Sequence, residues 1–191
     1  MRRIILASKS KARQALLKQI GLKFQVASSN TKEDRFLKTR CSDLVIANAL
    51  RKAEDVAKRF SSGIVIGADT VVLVDKKIVG KPKDNRNAFK TLKLLSRKPQ
   101  WVYTGLAVID IDRNKTFTVY DKTKVYMQHL DDRQIRNYFR KVSPLDKAGA
   151  FDIQGLGSIF IDRIEGCFYN VVGMPLAKLA SVLKKAGVDI F

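Results

Sequence analysis

At 191 residues, with 46% hydrophobic and 8% aromatic residues and no biased tract or internal repeat, the chain has the composition of a folded protein with one substantial core, expected as a single domain over residues 1–191. Thirty-seven basic residues against eighteen acidic ones leave a formal charge of +19, spread along the sequence rather than gathered in blocks, which suits a solvated surface and a non-specific pull on polyanions, nucleic acid included. No apolar stretch approaches the roughly 18 residues that cross a bilayer, and the start of the chain lacks a signal-peptide core, so a cytoplasmic protein with no membrane partner is expected.

In chain order, residues 3–7 are expected to form a short buried strand, after which Ser8-Lys9-Ser10 supplies N-cap hydroxyls to a helix over 12–20 that stops before Gly21. A second strand over 24–27 leads into a polar loop, Ser28 to Asp34. Leu44, Val45, Ala49, Ala53, Val56, Ala57 and Phe60 recur at helical spacing, so Ser42 is expected to cap a long amphipathic helix that carries Lys52 and ends near Gly63. The apolar run from Ile64 to Val74 is the next strand, turned back by Asp75-Lys76-Lys77 toward Gly80, and Asp84 caps a helix through Ala88, Leu92 and Leu95. Residues 101–111 and 115–127 form two long strands joined by a turn at Asp112-Arg113-Asn114. A helix over 131–141, a Gly-rich stretch from Lys147 to Gly157, a strand over 158–164 and a helix over 175–186 complete the chain. Helices interleaved with strands, plus one hairpin, indicate an α/β protein with a mixed sheet.

The chemistry available is narrow. His129 is the single histidine, so a His-built zinc site or a Ser-His-Asp triad has almost nothing to draw on. Cys41 and Cys167 lack metal or redox spacing and are expected to remain free thiols. Any metal would be a hard ion on oxygen ligands, Mg²⁺ or Mn²⁺. Against that background Asp69 stands out, because it lies in the middle of the apolar run Ile64 to Val74. Its carboxylate either ends a strand in an Asx turn or pairs with a cation or metal. Lys81, in the turn Gly80-Lys81-Pro82, is one available cation. Ser8 and Ser10, with Lys9, Lys11 and Arg13 beside them, suit either an ordinary helix cap or a phosphate cradle. Glu33 lies in a loop that suits metal coordination or plain solvation, and Lys52 on its helix reads as a surface residue. The glycines around Gln154 mark a tight connector or a close backbone approach to a ligand whose base edge the amide could read.

Taken in order, Leu6-Ala7-Ser8-x-Ser10-x-x-Arg13, Glu33, Ala49-x-x-Lys52-Ala53, Gly67-Ala68-Asp69-Thr70, Gly80-Lys81-Pro82, Tyr103-Thr104-Gly105, Lys147-Ala148-Gly149-Ala150, Ile153-Gln154-Gly155 and Asn170-Val171-Val172-Gly173-x-Pro175 resemble the Maf family of nucleoside triphosphate pyrophosphatases over nearly the whole chain. The resemblance implies a two-lobed α/β fold related to the inosine triphosphatase group, often dimeric, that cleaves a nucleoside triphosphate to its monophosphate and pyrophosphate with Mg²⁺ or Mn²⁺. It implies that Arg13, Lys52 and Lys81 neutralise the about four charges of a triphosphate, with Ser8 and Ser10 beside them. Asp69 would act as general base or metal ligand and Glu33 as the second acid near the metal. Thr70 and Gln154 resemble the branch that accepts dTTP and UTP. The chain departs from the family pattern at Ala12, where that branch carries an arginine associated with its preference, and at Phe151 and Leu156. The alternative is a basic nucleic-acid-binding or cell-division regulatory protein that retains only the shell of an enzyme.

Overall fold

The computed structural model describes residues 2–34, 40–145 and 147–190. Runs rich in β-branched residues, largely apolar in β3 (Ile64–Val74) and β5 (Gln100–Asp110) and alternating with polar residues in β6 (Lys115–Met127), pair antiparallel at the centre of a seven-stranded mixed sheet. On the other side of β3, β1 (Ile4–Leu6) pairs parallel, with β2 (Gln25–Val26) beyond it, while β7 (Ile161–Glu165) flanks β6 at the far edge. β4 (Lys77–Val79) folds back on β3 through Asp75 and Lys76, both at positive φ (48 and 61°), the backbone of a type I′ hairpin. The expected mixed-sheet α/β class is borne out.

Strand alternation sorts the core by face. Ile4, Leu6, Ile64, Ile66, Ala68, Leu106 and Val108 point to one side and pack under α1 (Lys11–Gln19) and α6 (Leu176–Lys185). Further along the same face, Val72, Val74 and Val102 belong to a second core beneath α3 (Asn85–Leu95) and α4 (Asp132–Lys141). Thr70 and Thr104, paired across β3 and β5, occupy the position between these two cores. On the opposite face Ile5, Ala7, Val65 and Ala107 pack against α2 (Cys41–Ala57), whose first turns cover Val71 through Leu44 and Val45.

α2 lies unusually near the sheet. A Cβ on Gly67 would fall 2.2 Å from the Ala49 carbonyl oxygen, and one on Gly105 would fall 2.4 Å from that of Val45. Two glycines on neighbouring strands thus set the spacing of the whole α2 layer. A second feature comes from strand length: β1 pairs with β3 at residues 64–66 and β4 pairs with it at 72–74, both on the same side. Among the described residues no strand pairs with Gly67–Val71 on that side, so the sheet carries a notch there. The C-terminal ends of both β1 and β4 point into it.

Several boundaries differ from the expectations. Arg40, not Ser42, is the N-cap of α2; it makes no capping hydrogen bond, and Ser42 lies inside the first turn with its hydroxyl on Asp43. α2 ends at Ala57, because Arg59 and Phe60 close on Val56 and Ala57 in single turns before Gly63. The segment expected as a strand from residue 158 begins instead with a 3-10 turn, Leu156–Phe160, before β7. A five-residue helix, α5 (Phe168–Val172), has no counterpart among the expected elements. Asp84 and Asp131 do cap α3 and α4, the latter with a full capping box through Gln134. No helix among the described residues is long and apolar enough to cross a membrane.

Adding a methyl at Gly105 forces it into the Val45 backbone, which no side-chain rotation relieves. Gly105→Ala is expected to destabilise the fold by about 3 kcal/mol, read as a fall of roughly 6–12 °C in thermal midpoint; a change of under about 1 kcal/mol would show that α2 is not held by this contact. A second expectation concerns acid. Arg2 donates to Asp110 Oδ2 at 2.8 Å, to the Ala186 carbonyl at 2.9 Å and to Asp112 at 2.5 Å. Its hydrogen bonds to the fully buried Asp110 hold that carboxyl below the usual range. The pair therefore contributes fully above the ordinary carboxylate pKa of about 3.9 and is lost as pH falls through the lower folded value. Arg2→Met should cost about 2 kcal/mol near neutrality, and the gap from the parent protein should narrow below about pH 4. A gap constant with pH in urea titrations would rule this coupling out.

Candidate active site

The notch gathers side chains from segments far apart in sequence. Asp69, in the middle of β3, is 3% exposed and points to the α2 face. Its Oδ1 accepts from Lys52 Nζ at 2.6 Å and its Oδ2 from Asn48 Nδ2 at 2.8 Å. Of the two roles open to it in the sequence, Asp69 thus takes the second: it forms no Asx turn but is paired with a cation. Lys52 is no surface residue either, being 8% exposed, with its ammonium shared between Asp69, Glu33 Oε1 at 2.7 Å and the Ala68 carbonyl at 3.4 Å. An ammonium has three protons, so all of them are committed here.

Asn48, one helical turn before Lys52 on α2, joins the two acids' segments. Its Oδ1 accepts from the Asp34 backbone N–H at 3.0 Å, and its amide group donates to the Asp34 carbonyl at 2.9 Å as well as to Asp69. The reversed amide would set oxygen against oxygen at both places, so its orientation is fixed. Farther back, Asp55 accepts from the Asn30 N–H at 3.1 Å and Arg59 donates to the Ser28 carbonyl at 2.9 Å. The loop from Ser28 to Asp34 is thereby laid along α2, and Glu33 is delivered to Lys52.

On the other face of the strand, Arg13 reaches Thr70. Its Nη2 donates to Thr70 Oγ1 at 2.9 Å, its Nη1 to Ser8 Oγ at 3.2 Å and its Nε to the Gly173 carbonyl at 2.9 Å. Burial draws the Arg13 pKa down, while the negative charges of Asp69 and Glu33 oppose the fall; the guanidinium stays a cation. Thr104 donates its hydroxyl proton to the Asn170 carbonyl at 2.9 Å, so in its 3.0 Å contact with Thr70 it must accept. The chain therefore runs in one direction, Arg13 to Thr70 to Thr104 to Asn170. Thr70 commits its single proton to Thr104, and towards a ligand it offers a lone pair only. Gly173, at φ 111° and with Thr70 Oγ1 3.2 Å from where a Cβ would sit, admits no side chain at this join.

The remaining candidates sit around this centre. Ser10 Oγ accepts from the Arg13 N–H at 3.4 Å as the N-cap of α1, and Ser8 Oγ accepts from the Ser10 N–H at 3.3 Å, so both hydroxyls serve the turn that fixes Arg13. Ala12 lies beside Arg13 in the first turn of α1, half-buried. Lys81 is exposed and makes no ion pair among the described residues; it follows β4, whose Val79 stands opposite Val72. Its loop is tied to the Gly-rich stretch by the Gly149 N–H donating to the Gly80 carbonyl at 3.3 Å. In that stretch Ile153 and Phe151 wall a cavity of about 40 Å³ with Thr70, Val102 and Val171, and the exposed Gln154 follows at its edge. The structure thus brings Asp69, Lys52, Glu33, Arg13, Thr70 and Ser8 together at the notch, and leaves Lys81 and Gln154 exposed, without a direct bond to them among the described residues. Cys41 is buried, which pushes its thiol pKa up and keeps it from acting as a thiolate.

Three residues of this network carry no role that the sequence alone suggests. Asn48 shares the buried face of α2 with Val45, Ala49 and Lys52, a polar residue where helical periodicity predicts an apolar one. Thr104 and Asn170 lie inside recognised motifs, but their function depends on a strand register and a short helix that periodicity does not reveal.

A mixed sheet with a notch at its centre, a buried carboxylate–ammonium cluster on one face and a hydrogen-bonded guanidinium on the other, defines an α/β protein with a charged site at an interrupted strand edge. The chain belongs to the Maf family: a family model described as Maf-like protein matches residues 3–186. A relative from Methanosarcina barkeri named dTTP/UTP pyrophosphatase is 47% identical over 192 residues, covering 100% of this chain and 98% of that one. Relatives of the same name from Dictyoglomus turgidum and Clostridium botulinum are 43% and 44% identical, covering 98% and 100% of this chain and 97% and 100% of their own length. Among solved structures, the Staphylococcus aureus Ham1 protein superposes with a TM-score of 0.47 at 16% identity, over 66% of this chain and 72% of that chain.

Because the hydroxyl chain is directional, removing its middle member leaves the half-buried Thr70 hydroxyl without its acceptor, while the Asn170 carbonyl keeps the Gly173 N–H at 3.0 Å. Thr104→Val is expected to cost about 1–3 kcal/mol in chemical denaturation, with Thr104→Ser restoring at least half of it. Equal stability of the valine and serine variants would show that the Thr104 hydroxyl carries no such bond.

Proposed function

We propose that this protein hydrolyses dTTP and UTP, and on the same site modified pyrimidine triphosphates, to the nucleoside monophosphate and pyrophosphate. The observation that carries the reading is the Lys52 ammonium held between Asp69 and Glu33 at the sheet notch, with Arg13 across the strand from it. Relatives that match the full length and bear the name dTTP/UTP pyrophosphatase support it. They lend nothing to the alternative of a regulatory protein with a vestigial site.

In this mechanism the triphosphate enters the notch with its charge facing Arg13 and Lys81, beside the buried Lys52 ammonium. Lys52 reaches a phosphate oxygen only by releasing Glu33 or its long 3.4 Å bond to the Ala68 carbonyl, so its first task is to hold the two acids apart and oriented. Asp69 takes the proton of the attacking water; each of its oxygens carries one hydrogen bond from the protein and keeps a second lone pair. Asn48 holds that carboxylate in one rotamer, and the water's oxygen bonds to phosphorus as the bond to the pyrophosphate leaving group breaks. Glu33, with a side chain 40% exposed, is the more open of the two acids.

The donor set fits a hard divalent cation. Glu33 and Asp69 supply carboxylate oxygens, which suits the preference of Mg²⁺ for one or two carboxylates completed by phosphate and water. Bound there, Mg²⁺ or Mn²⁺ would neutralise phosphate charge. For base selection, Gln154 offers one donor and one acceptor to a pyrimidine edge, Thr70 offers an acceptor, and Ala12 leaves open space beside Arg13.

The test is pyrophosphate release across the ribo- and deoxyribonucleoside triphosphates with Mg²⁺, Mn²⁺ or chelator. Release is expected to be fastest from dTTP and UTP and abolished by chelation, and Asp69→Asn should lower turnover about 100-fold or more. A folded protein that releases nothing from any triphosphate, or an asparagine variant with near-parental turnover, would refute the assignment.

A further inference from the structure

Away from the notch, α3 and α4 enclose an open groove of about 710 Å³. Its floor is Phe89 and Phe139, both half-buried against the core beneath. Its walls are Arg86, Lys90 and Lys93 from α3 and Arg136 and Arg140 from α4. Among the described residues, the acid that pairs into it is Asp132, on Lys93 at 2.6 Å and Arg136 at 3.8 Å. Arg86, Lys90 and Arg140 make no ion pair among the described residues. Lys93 and Arg136 flank the Phe89 ring at 5.9 and 5.6 Å from its centroid.

We propose that this groove binds single-stranded nucleic acid. Cations spaced along two helices with aromatic rings between them match what a strand presents: phosphates for the guanidinium and ammonium groups, and base faces for the rings. The span from Arg86 to Lys93 is about 10 Å of helix, and the groove's volume suits a few unstacked bases rather than a duplex. A second copy of this chain is a poor occupant, since each copy carries a formal +19 and would bring like charge to like. An acidic peptide meets the charges but has no use for the half-buried rings of Phe89 and Phe139 between them. The helix faces also offer no unpaired backbone edge for a peptide to extend. The rest of the positive surface would speed the approach of any polyanion and supply the non-specific background.

The experiment is fluorescence anisotropy of a short labelled oligothymidylate with the full chain across a potassium chloride series. Affinity should fall log-linearly with salt. The triple substitution Arg86→Gln, Lys90→Gln and Arg140→Gln should weaken binding at least tenfold and lower the salt slope by about 2, at ~0.7 for each phosphate no longer neutralised. Phe89→Leu, which keeps the packing but removes the ring, should weaken it at least fivefold. Asp69→Asn and excess dTTP should leave binding unchanged, separating the groove from the notch. Equal affinity of the triple variant, of Phe89→Leu, or of a duplex of the same length would overturn the proposal. So would polyglutamate or anionic vesicles binding as tightly and losing it on the same substitutions. Thermal midpoints of both variants, expected within a few degrees of the parent, guard against loss of fold.

Discussion

The near contact between α2 and the sheet is the constraint on which the site depends. Gly67 and Gly105 have no side chains to hold the helix off, and the Ala49 and Val45 carbonyls occupy the space a Cβ would need. At ordinary helix–sheet spacing, Asn48 and Lys52 would end short of β3. Brought this near, Lys52 lays its stem against the apolar layer and delivers its ammonium to Asp69, and Asn48 spans from the strand to the backbone of Asp34. The same helix therefore fixes both acids, one directly and one through the loop it binds.

Such a cluster is not explained by stability. Burying a carboxylate with an ammonium costs desolvation that their attraction only partly offsets, and an apolar pair of the same volume often holds a fold as well or better. Here two carboxylates surround one ammonium, while Arg13 holds the other face of the strand through Thr70 and the exposed Lys81 follows β4. An arrangement with acids fixed on an ammonium and a guanidinium across the strand is suited to a ligand that is itself a string of anions, with room for a cation between them.

Much of this is legible in the sequence, and the limits have physical causes. The central strands, the caps at Asp84 and Asp131 and the isolation of Asp69 follow from local rules: β-branched runs, short polar residues before helices, and the cost of a charge in an apolar segment. The start of α2 escapes those rules because Ser42 has a better intrinsic capping side chain than Arg40, yet tertiary packing of Leu44 and Val45 against Val71 sets where the helix must begin. Lys52 escapes them because a lysine on a helix is usually solvated, and only the glycine-to-carbonyl contacts reveal that this face is buried. The hydrogen-bonding roles of Asn48, Thr104 and Asn170 are not legible in the sequence because each acts through a partner at least fourteen residues away, a relation that periodicity cannot encode.

Alternation along a strand sends Asp69 and Thr70 to opposite faces, and in a continuous sheet the two would never meet one ligand. Here both border one opening, because β1 stops at Leu6 and β4 begins pairing only at Val72. Across that gap the edge of β3 is open to both faces. The α2 side supplies Asp69, Lys52 and Glu33, groups whose charge suits the anhydride. The other side supplies Arg13 and the Thr70 lone pair, held by a hydroxyl chain that ends on Asn170, and borders the cavity walled by Ile153. The shortness of β1 and β4, unremarkable as secondary structure, is thus what brings two consecutive residues on opposite faces of the sheet to one opening.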